Sequence, residues 1–519
     1  MTAELESVVV RGPEGVERLP AEGIVSETKD GIWTRFDWTH PGGMFDSIGL
    51  AFVGGPGRGG RYLRNGYQSW SFAGEDRANG PVERSAVEVL ADVQHSIRRP
   101  PDDIEVVGES SQFIYYEAGL AGFPHCRRAN GTIYITPSGF EAVLDLSGGS
   151  FSRGDKLESF YVAGRVPSED SGDLLGAFMV EAGSDARASM PHISGWCSWY
   201  HYFHDITEAA FDQNLADAAE RFGFDLFQLD DGYQRAIGDW IETNEKFPSG
   251  IAPLARRIDD AGMIPGIWYA PFALFPDASS YNEDWLARQA DGSRIPAVVN
   301  PNWGEGALGY ALDTTLPEVQ SWIEATARGL VESGYRYLKL DFTYAAAMEG
   351  VRSGPATKAE ALKLGLEAIR RGAGDETILL GCGMPLWPAI GVVDAMRIGQ
   401  DVAPYWEPEV QVEGLTESLP STQSAYRNTC ARAAMHRRLW VNDPDCVMLR
   451  KTDTRLTEEQ IHMWADLVAD SGQLLLVSDD LSLIEDTSYW DELKDRSAAA
   501  DVRAGEAPWT PPDPFSSEE

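Results

Sequence analysis

The sequence predicts an α/β protein in which a (β/α)8 TIM barrel follows an N-terminal β-sandwich domain. Two patterns carry that expectation. Over residues 1–185, short alternating runs such as Phe113–Glu117, Thr132–Pro137 and Phe140–Leu146 lie between Gly-, Pro- and Asp-rich turns, as antiparallel strands with one buried face do. From Ile193 the pattern changes to short apolar runs separated by helical stretches, the alternation that builds a parallel sheet wrapped in helices.

Eight strand candidates follow in order: Ile193–Trp199, Phe224–Asp230, Ile264–Tyr269, Tyr337–Asp341, Ile378–Cys382, Ala395–Gly399, Arg438–Asn442 and Gln473–Val477. Helical periodicity falls between most of them, at Glu208–Phe222, Pro317–Ser333, Ala356–Arg371 and Glu458–Asp470. Pro317 suits a helix start, where its missing N–H costs nothing. The connection between strands five and six carries only a short helical signal. Gly54–Gly60 (GGPGRGG) reads as a loop, because no helix follows it to make a phosphate cradle. These patterns divide the chain into a sandwich (1–185), a barrel (186–482) and a short C-terminal extension (483–519). From Ala498 the extension is Pro-, Ala- and acid-rich and is expected to be without structure.

Composition narrows the function. Eighty-one Asp and Glu face 43 Lys and Arg, a formal net charge of −38, and only eight of the basic residues are lysine. A field of that sign repels nucleic acid and anionic membranes. The acidic, lysine-poor composition resembles that of proteins from salt-in halophiles; the alternative is an ordinary acidic protein from an arginine-using, high-GC genome. No run reaches the roughly 20 apolar residues of a membrane span, and Met1–Arg18 has four glutamates and no apolar signal core. Five cysteines with no CxxC spacing fit neither a disulfide framework nor a zinc site, so a cytoplasmic protein without metal or cofactor is expected.

Active sites of barrels form at the C-terminal ends of the strands. Those ends carry Trp199 and Tyr200, Asp230 and Asp231, Trp268, Lys339 and Asp341, Cys382, Arg397 and Asp401, and Asp443 with Asp445. Recurrent carboxylates beside aromatic and basic residues are what glycoside hydrolysis needs: one ionised acid, one protonated acid and a flat surface for a sugar. Asp102–Asp103, Asp259–Asp260 and Asp479–Asp480 are read instead as solvated pairs in an acid-rich chain. His201 and His204 have ligand-like spacing but no HExxH context, and are read as packing groups. Ser198 lacks the G-x-S-x-G elbow of a serine hydrolase.

The runs GWCSWYHYFHDIT, FQLDDGYQ, IGDW, KFPSG, GIWYAPF, YRYLKLDF, ILLGCGMPL, AMRIGQDVAPYW and LWVNDPDC, preceded by RNGYQSWS at Arg64–Ser71, resemble glycoside hydrolase family 36, the α-galactosidase or melibiase family, in its compact bacterial form. The resemblance runs in order across about 400 residues, which no single motif could match in specificity. It implies a retaining exo-α-galactosidase acting on melibiose- or raffinose-type oligosaccharides, with Asp341 as nucleophile and Asp401 as general acid/base. It also implies that Asp230 and Asp231 bind the galactose 4- and 6-hydroxyls, that Lys339, Cys382, Arg397, Trp199, Tyr200 and Trp268 line the sugar subsite, and that Trp70 reaches over it from the sandwich. Lys339 and Arg397 are expected to hold Asp341 ionised.

Two departures stand out. Larger members carry a tryptophan and an asparagine around the nucleophile, where this chain has Leu340 and Thr343, and family members carry a C-terminal β-domain for which little sequence follows strand eight. The rival readings are an α-N-acetylgalactosaminidase, a galactosyl-transferring relative similar to raffinose synthase, and a catalytically silent sugar-binding protein.

Overall fold

A computed structural model describes residues 3–80, 100–164, 174–300, 303, 308–410 and 418–506. The N-terminal strands form two antiparallel sheets. One has six strands in the order Gly15–Leu19, Glu4–Gly12, Ser47–Val53, Gly139–Asp145, Asn130–Thr136, Gly108–Ser111; the other has seven, in the order Val25–Asp30, Trp33–Trp38, Phe160–Gly164, Gly119–Gly122, Phe113–Tyr116, Arg61–Asn65, Ala73–Arg77. The alternating apolar positions meet between them: Val8, Val10, Ile48, Leu50 and Phe52 pack with Phe36, Trp38, Ile114 and Phe160 in one buried cluster. This is the β-sandwich that the period-2 patterning predicts.

The eight parallel strands of the barrel run Ser194–Cys197, Leu226–Leu229, Ile264–Tyr269, Tyr337–Leu340, Ile378–Gly381, Ala395–Arg397, Val441–Asp443 and Leu475–Val477. Strand one pairs with both strand two and strand eight, and the Leu474 N–H donates to Asn442 O at 3.1 Å where strands seven and eight approach, so the sheet nearly closes on itself. Helices Ile251–Asp260, Pro317–Glu332, Lys358–Ala373 and Glu458–Asp470 follow strands two, three, four and seven. Capping boxes at Thr357/Glu360 and Thr457/Gln460 start two of these helices. Only a 3-10 turn, Trp387–Ala389, lies between strands five and six.

Several boundaries differ from expectation. The first strand stops at Cys197 and the chain turns into a helix at Trp199–Tyr202, a run whose aromatic composition reads as strand. Strand seven begins at Val441, because Arg437 adopts a left-handed φ of 59° and its N–H closes a turn on Trp440 O. The segment from Ala498 is not structureless: a helix spans Ser488–Glu506. Trp490, Leu493, Ser497, Ala500 and Ala504 are all buried along it, a stripe at spacings of three and four that the Pro and acid content of the tail obscured. Residues 507–519, the rest of that expectation, lie outside the described residues. Among the described residues no helix is long and apolar enough to cross a membrane.

Candidate functional site

The site lies at the C-terminal ends of the barrel strands. Strand two ends in Asp230 and Asp231, both 2 % exposed. Asp230 Oδ2 accepts from Lys339 Nζ at 2.8 Å and Gln228 Nε2 at 2.6 Å, and the Asp230 N–H donates to Ser198 Oγ. Asp231 Oδ1 accepts from Gln234 Nε2 at 2.6 Å and Oδ2 from Trp303 Nε1 at 2.7 Å. Among the described residues no cation is bonded to it, and burial pushes the Asp231 carboxyl up to about 6.

Asp341 follows strand four. Its Oδ2 accepts from Trp268 Nε1 and its Oδ1 from the Phe342 N–H, each at 2.8 Å. Phe342 holds a left-handed φ of 50°, a conformation that costs about 1–3 kcal/mol for a bulky residue and collects at functional sites; here it turns the peptide N–H back onto the Asp341 side chain. The cations expected beside Asp341 are bonded elsewhere: Lys339 to Asp230, and Arg397 to three other carboxylates. Arg397 Nη1 meets Asp401 Oδ1 at 3.1 Å, Nε meets Asp443 Oδ2 at 3.0 Å and Nη2 meets Asp445 Oδ1 at 2.8 Å. Burial, together with the charge of Asp341, raises the Asp401 carboxyl despite Arg397. Its side chain keeps 34 % of its surface open, so it faces the cleft while its surroundings are poorly solvated.

The remaining predicted residues divide. Trp268 and Cys382 are buried next to Asp341; burial and that charge push the Cys382 thiol well up, so it stands protonated. Trp199 is half-buried. Tyr200 instead lies behind Arg397, buried, its hydroxyl donating to Asp445. Trp70 arrives from the sandwich and sets its ring edge-on to Phe342 at 5.3 Å. A side chain at Gly383 would strike that indole at 2.9 Å, so the glycine after Cys382 makes room for it.

The loop carrying Trp70 is fastened by Arg432, which is fully buried. Among the described residues its acceptors are Asn65 Oδ1 and the carbonyls of Gly66, Gln68, Ser69 and Ile398. Burial, with the charge of Arg427 nearby, brings this guanidinium down to about 9. Gln400 Nε2 adds a bond to Trp70 O at 2.6 Å, one residue before Asp401. Sequence reasoning gave Arg432, Gln400 and Trp303 no role. Trp303 sits between strands Pro296–Val299 and Leu308–Ala311 of a small sheet inserted after strand three, in a Gly-rich run whose only signal was the tryptophan itself. Asp479, read as a solvated residue, is fully buried at the end of strand eight and pairs with Arg450 Nη1 at 2.5 Å.

Residues 190–364, covering strands one to four and both Asp230–Asp231 and Asp341, match the Melibiase family model. That match spans about a third of the chain. The structure is similar to TtGalA, an α-galactosidase from Thermus thermophilus solved in complex with stachyose, at 27 % identity over 92 % of this chain and 99 % of that one, with a TM-score of 0.71. A second TtGalA structure, in complex with p-nitrophenyl α-D-galactopyranoside, matches at 27 % identity over 96 % of this chain and 94 % of that one, with a TM-score of 0.73. Alpha-galactosidase AgaA of Geobacillus stearothermophilus is 28 % identical over 154 residues, 28 % of this chain. That stretch spans a fifth (20 %) of the relative's own length. The mouse myogenesis-regulating glycosidase is 34 % identical over 114 residues, 21 % of this chain and 15 % of that one.

The charge imbalance of the site has a consequence for stability. A carboxyl whose folded pKa is raised above its ordinary value of 3.8 to about 6 holds its proton more tightly in the folded chain, so stability falls as pH rises through that window and stays lower above it. Asp231→Asn removes the charge but sets an amide N–H against the Gln234 or Trp303 donor, so the pH dependence carries the test. Between about pH 4 and pH 8 the wild type should lose about 1–3 kcal/mol more in urea unfolding than the variant does. The same pH dependence in variant and wild type would contradict the charge accounting.

Proposed function

We propose that the protein is a retaining exo-α-galactosidase that removes terminal α-galactosyl residues from melibiose- and raffinose-type oligosaccharides by double displacement. The barrel (186–482) supplies the chemistry, the sandwich (1–185) lends Trp70, and the helix Ser488–Glu506 of the C-terminal extension (483–519) packs beside the barrel. Support comes from the likeness to α-galactosidases over nearly the whole chain and, above all, from one electrostatic relation: the charge of Asp341 helps keep the proton on Asp401.

In this reading Asp341 attacks the anomeric carbon. The two N–H groups on its oxygens stabilise the carboxylate and aim it. Asp401 protonates the departing glycosidic oxygen. Once Asp341 is esterified by the sugar its charge is gone, the Asp401 pKa falls, and Asp401 takes the proton of the water that attacks the glycosyl ester. Asp230 and Asp231 accept from the axial 4-hydroxyl and the 6-hydroxyl, and Trp268, Trp199, Trp70, Lys339, Cys382 and Arg397 form the surrounding wall. The mechanism uses no metal and no cofactor.

Asp341→Ala should abolish turnover of every substrate, with azide restoring it as the β-galactosyl azide. Asp401→Ala should retain cleavage of nitrophenyl α-galactoside, whose leaving group needs little protonation, and lose cleavage of melibiose. Substantial activity of Asp341→Ala without azide would refute the assignment. α-Galactosides should exceed α-glucosides by at least about a hundredfold in kcat/KM, since an epimer leaves buried acceptors unpaired.

The acidity points to a cytoplasm rich in salt, and all five cysteines are free, as a reducing compartment requires. The Tm should rise steeply to about 1 M KCl, where the Debye length has shrunk to about 3 Å. Sucrose at equal osmolality should stabilise less, because it screens no charge; equal stabilisation by both would make the acidity a solubility feature alone.

A further inference from the structure

Arg397 is shared. Its Nη1 reaches Asp401, but its Nε and Nη2 are taken by Asp443 and Asp445, both fully buried. A lone arginine on a buried carboxylate would strip that acid of its proton, which is the reverse of what a general acid needs at neutral pH. We propose that Asp443 and Asp445 are positioning residues for the acid/base carboxyl: by occupying two edges of the Arg397 guanidinium they spend its charge and leave the Asp401 proton in place.

Three further observations support this assignment, which rests on the acid/base role of Asp401 proposed above. Asp445 is built in with care. It holds a left-handed φ of 88°, and its oxygens accept from the Cys446 N–H at 2.7 Å, the Val402 N–H at 2.9 Å and the Tyr200 hydroxyl. Val402 directly follows Asp401, so one side chain both offsets Arg397 and fixes the backbone of the acid. Asp443 in turn accepts the Asp445 N–H at 2.9 Å, tying the two carboxylates to each other. The other charged groups around Asp401 are Asp341 and Lys339 on strand four and Asp230 on strand two. Lys339 is committed to Asp230, so the balance at Asp401 is set by Asp341, by Arg397 and by the carboxylates sharing that arginine. Around Asp445 the titratable neighbours are Tyr200, Asp401, Asp443, Cys446 and Lys339.

The sign of the effect is fixed. Removing either carboxylate frees positive charge for Asp401 and lowers its pKa, so the acid loses its proton at lower pH. The test uses full-length Asp443→Asn and Asp445→Asn, with Asp401→Asn as the reference that identifies the Asp401 carboxylic-acid carbonyl band in infrared difference spectra. In either variant that band should titrate away at a pH lower by about one unit. The alkaline limb of kcat/KM on melibiose should move by the same amount, and the limb on nitrophenyl α-galactoside should move less. Asparagine tolerates the left-handed backbone at 445 as aspartate does, and if one variant does not fold the other carries the same test. A folded variant whose Asp401 band titrates at the wild-type pH, or higher, overturns the proposal. If the wild type cleaves no α-galactoside, the functional reading falls, and the infrared titration still decides this inference.

Discussion

The site is short of positive charge, and its organisation follows from that shortage. Six carboxylates (Asp230, Asp231, Asp341, Asp401, Asp443 and Asp445) surround two cations bonded to them, Lys339 and Arg397. Buried like charges cannot all be ionised together at neutral pH. Each acid therefore takes one of three solutions. Asp230 and Asp443 draw on a cation, Asp341 is held by N–H donors, and Asp231, Asp401 and Asp445 sit where a proton is retained more tightly, Asp445 even though it meets Arg397. A further hydroxyl donating to Asp231 would stabilise its charged form.

The second constraint is mechanical. One wall of the cleft belongs to a different domain, and a domain interface left to itself moves. Arg432 bonds across it, reaching the Trp70 loop through Ser69 O and the residue after strand six through Ile398 O with the same Nη1 nitrogen. Asn428 reinforces the joint, donating to Ser71 O and accepting from the Ala73 N–H. A buried guanidinium satisfied by carbonyls costs desolvation that no anion repays, and that cost fits a residue kept for geometry. The loops bearing Trp70 and Asp401 are thereby held as one body.

Much of this was legible in the sequence, for identifiable reasons. The parallel strands are apolar on both faces, so runs such as YLKL and ILLG stand out, and their C-terminal ends name the strand-end acids directly. Asp341, Asp230 and Asp231 could be found by that rule alone. Partnerships could not. Lys339 and Asp341 lie two apart on one strand and read as a pair, yet Lys339 reaches past strand three to Asp230 at the end of strand two, at 2.8 Å, because the inward side chains of alternate barrel strands share one layer. Asp443 and Asp445 were visible as strand-end acids without a role, since nothing local reveals that they share an arginine from strand six. Trp303 and Arg432 act across more than 70 and 360 residues of sequence, a range at which periodicity carries no information. The C-terminal helix was hidden for a different reason: its apolar stripe is thin and alanine-rich, and composition averaged it away.

The central claim is the division of labour among these carboxylates, with Asp341 the one that bonds to carbon. The most direct measurement is mass-spectrometric mapping after reaction with 5-fluoro-α-D-galactosyl fluoride, which slows breakdown of a glycosyl ester more than its formation. The account predicts one fluorogalactosyl group, carried by Asp341. A label on Asp401, Asp230 or Asp231, or turnover with inversion and no covalent adduct, would contradict it.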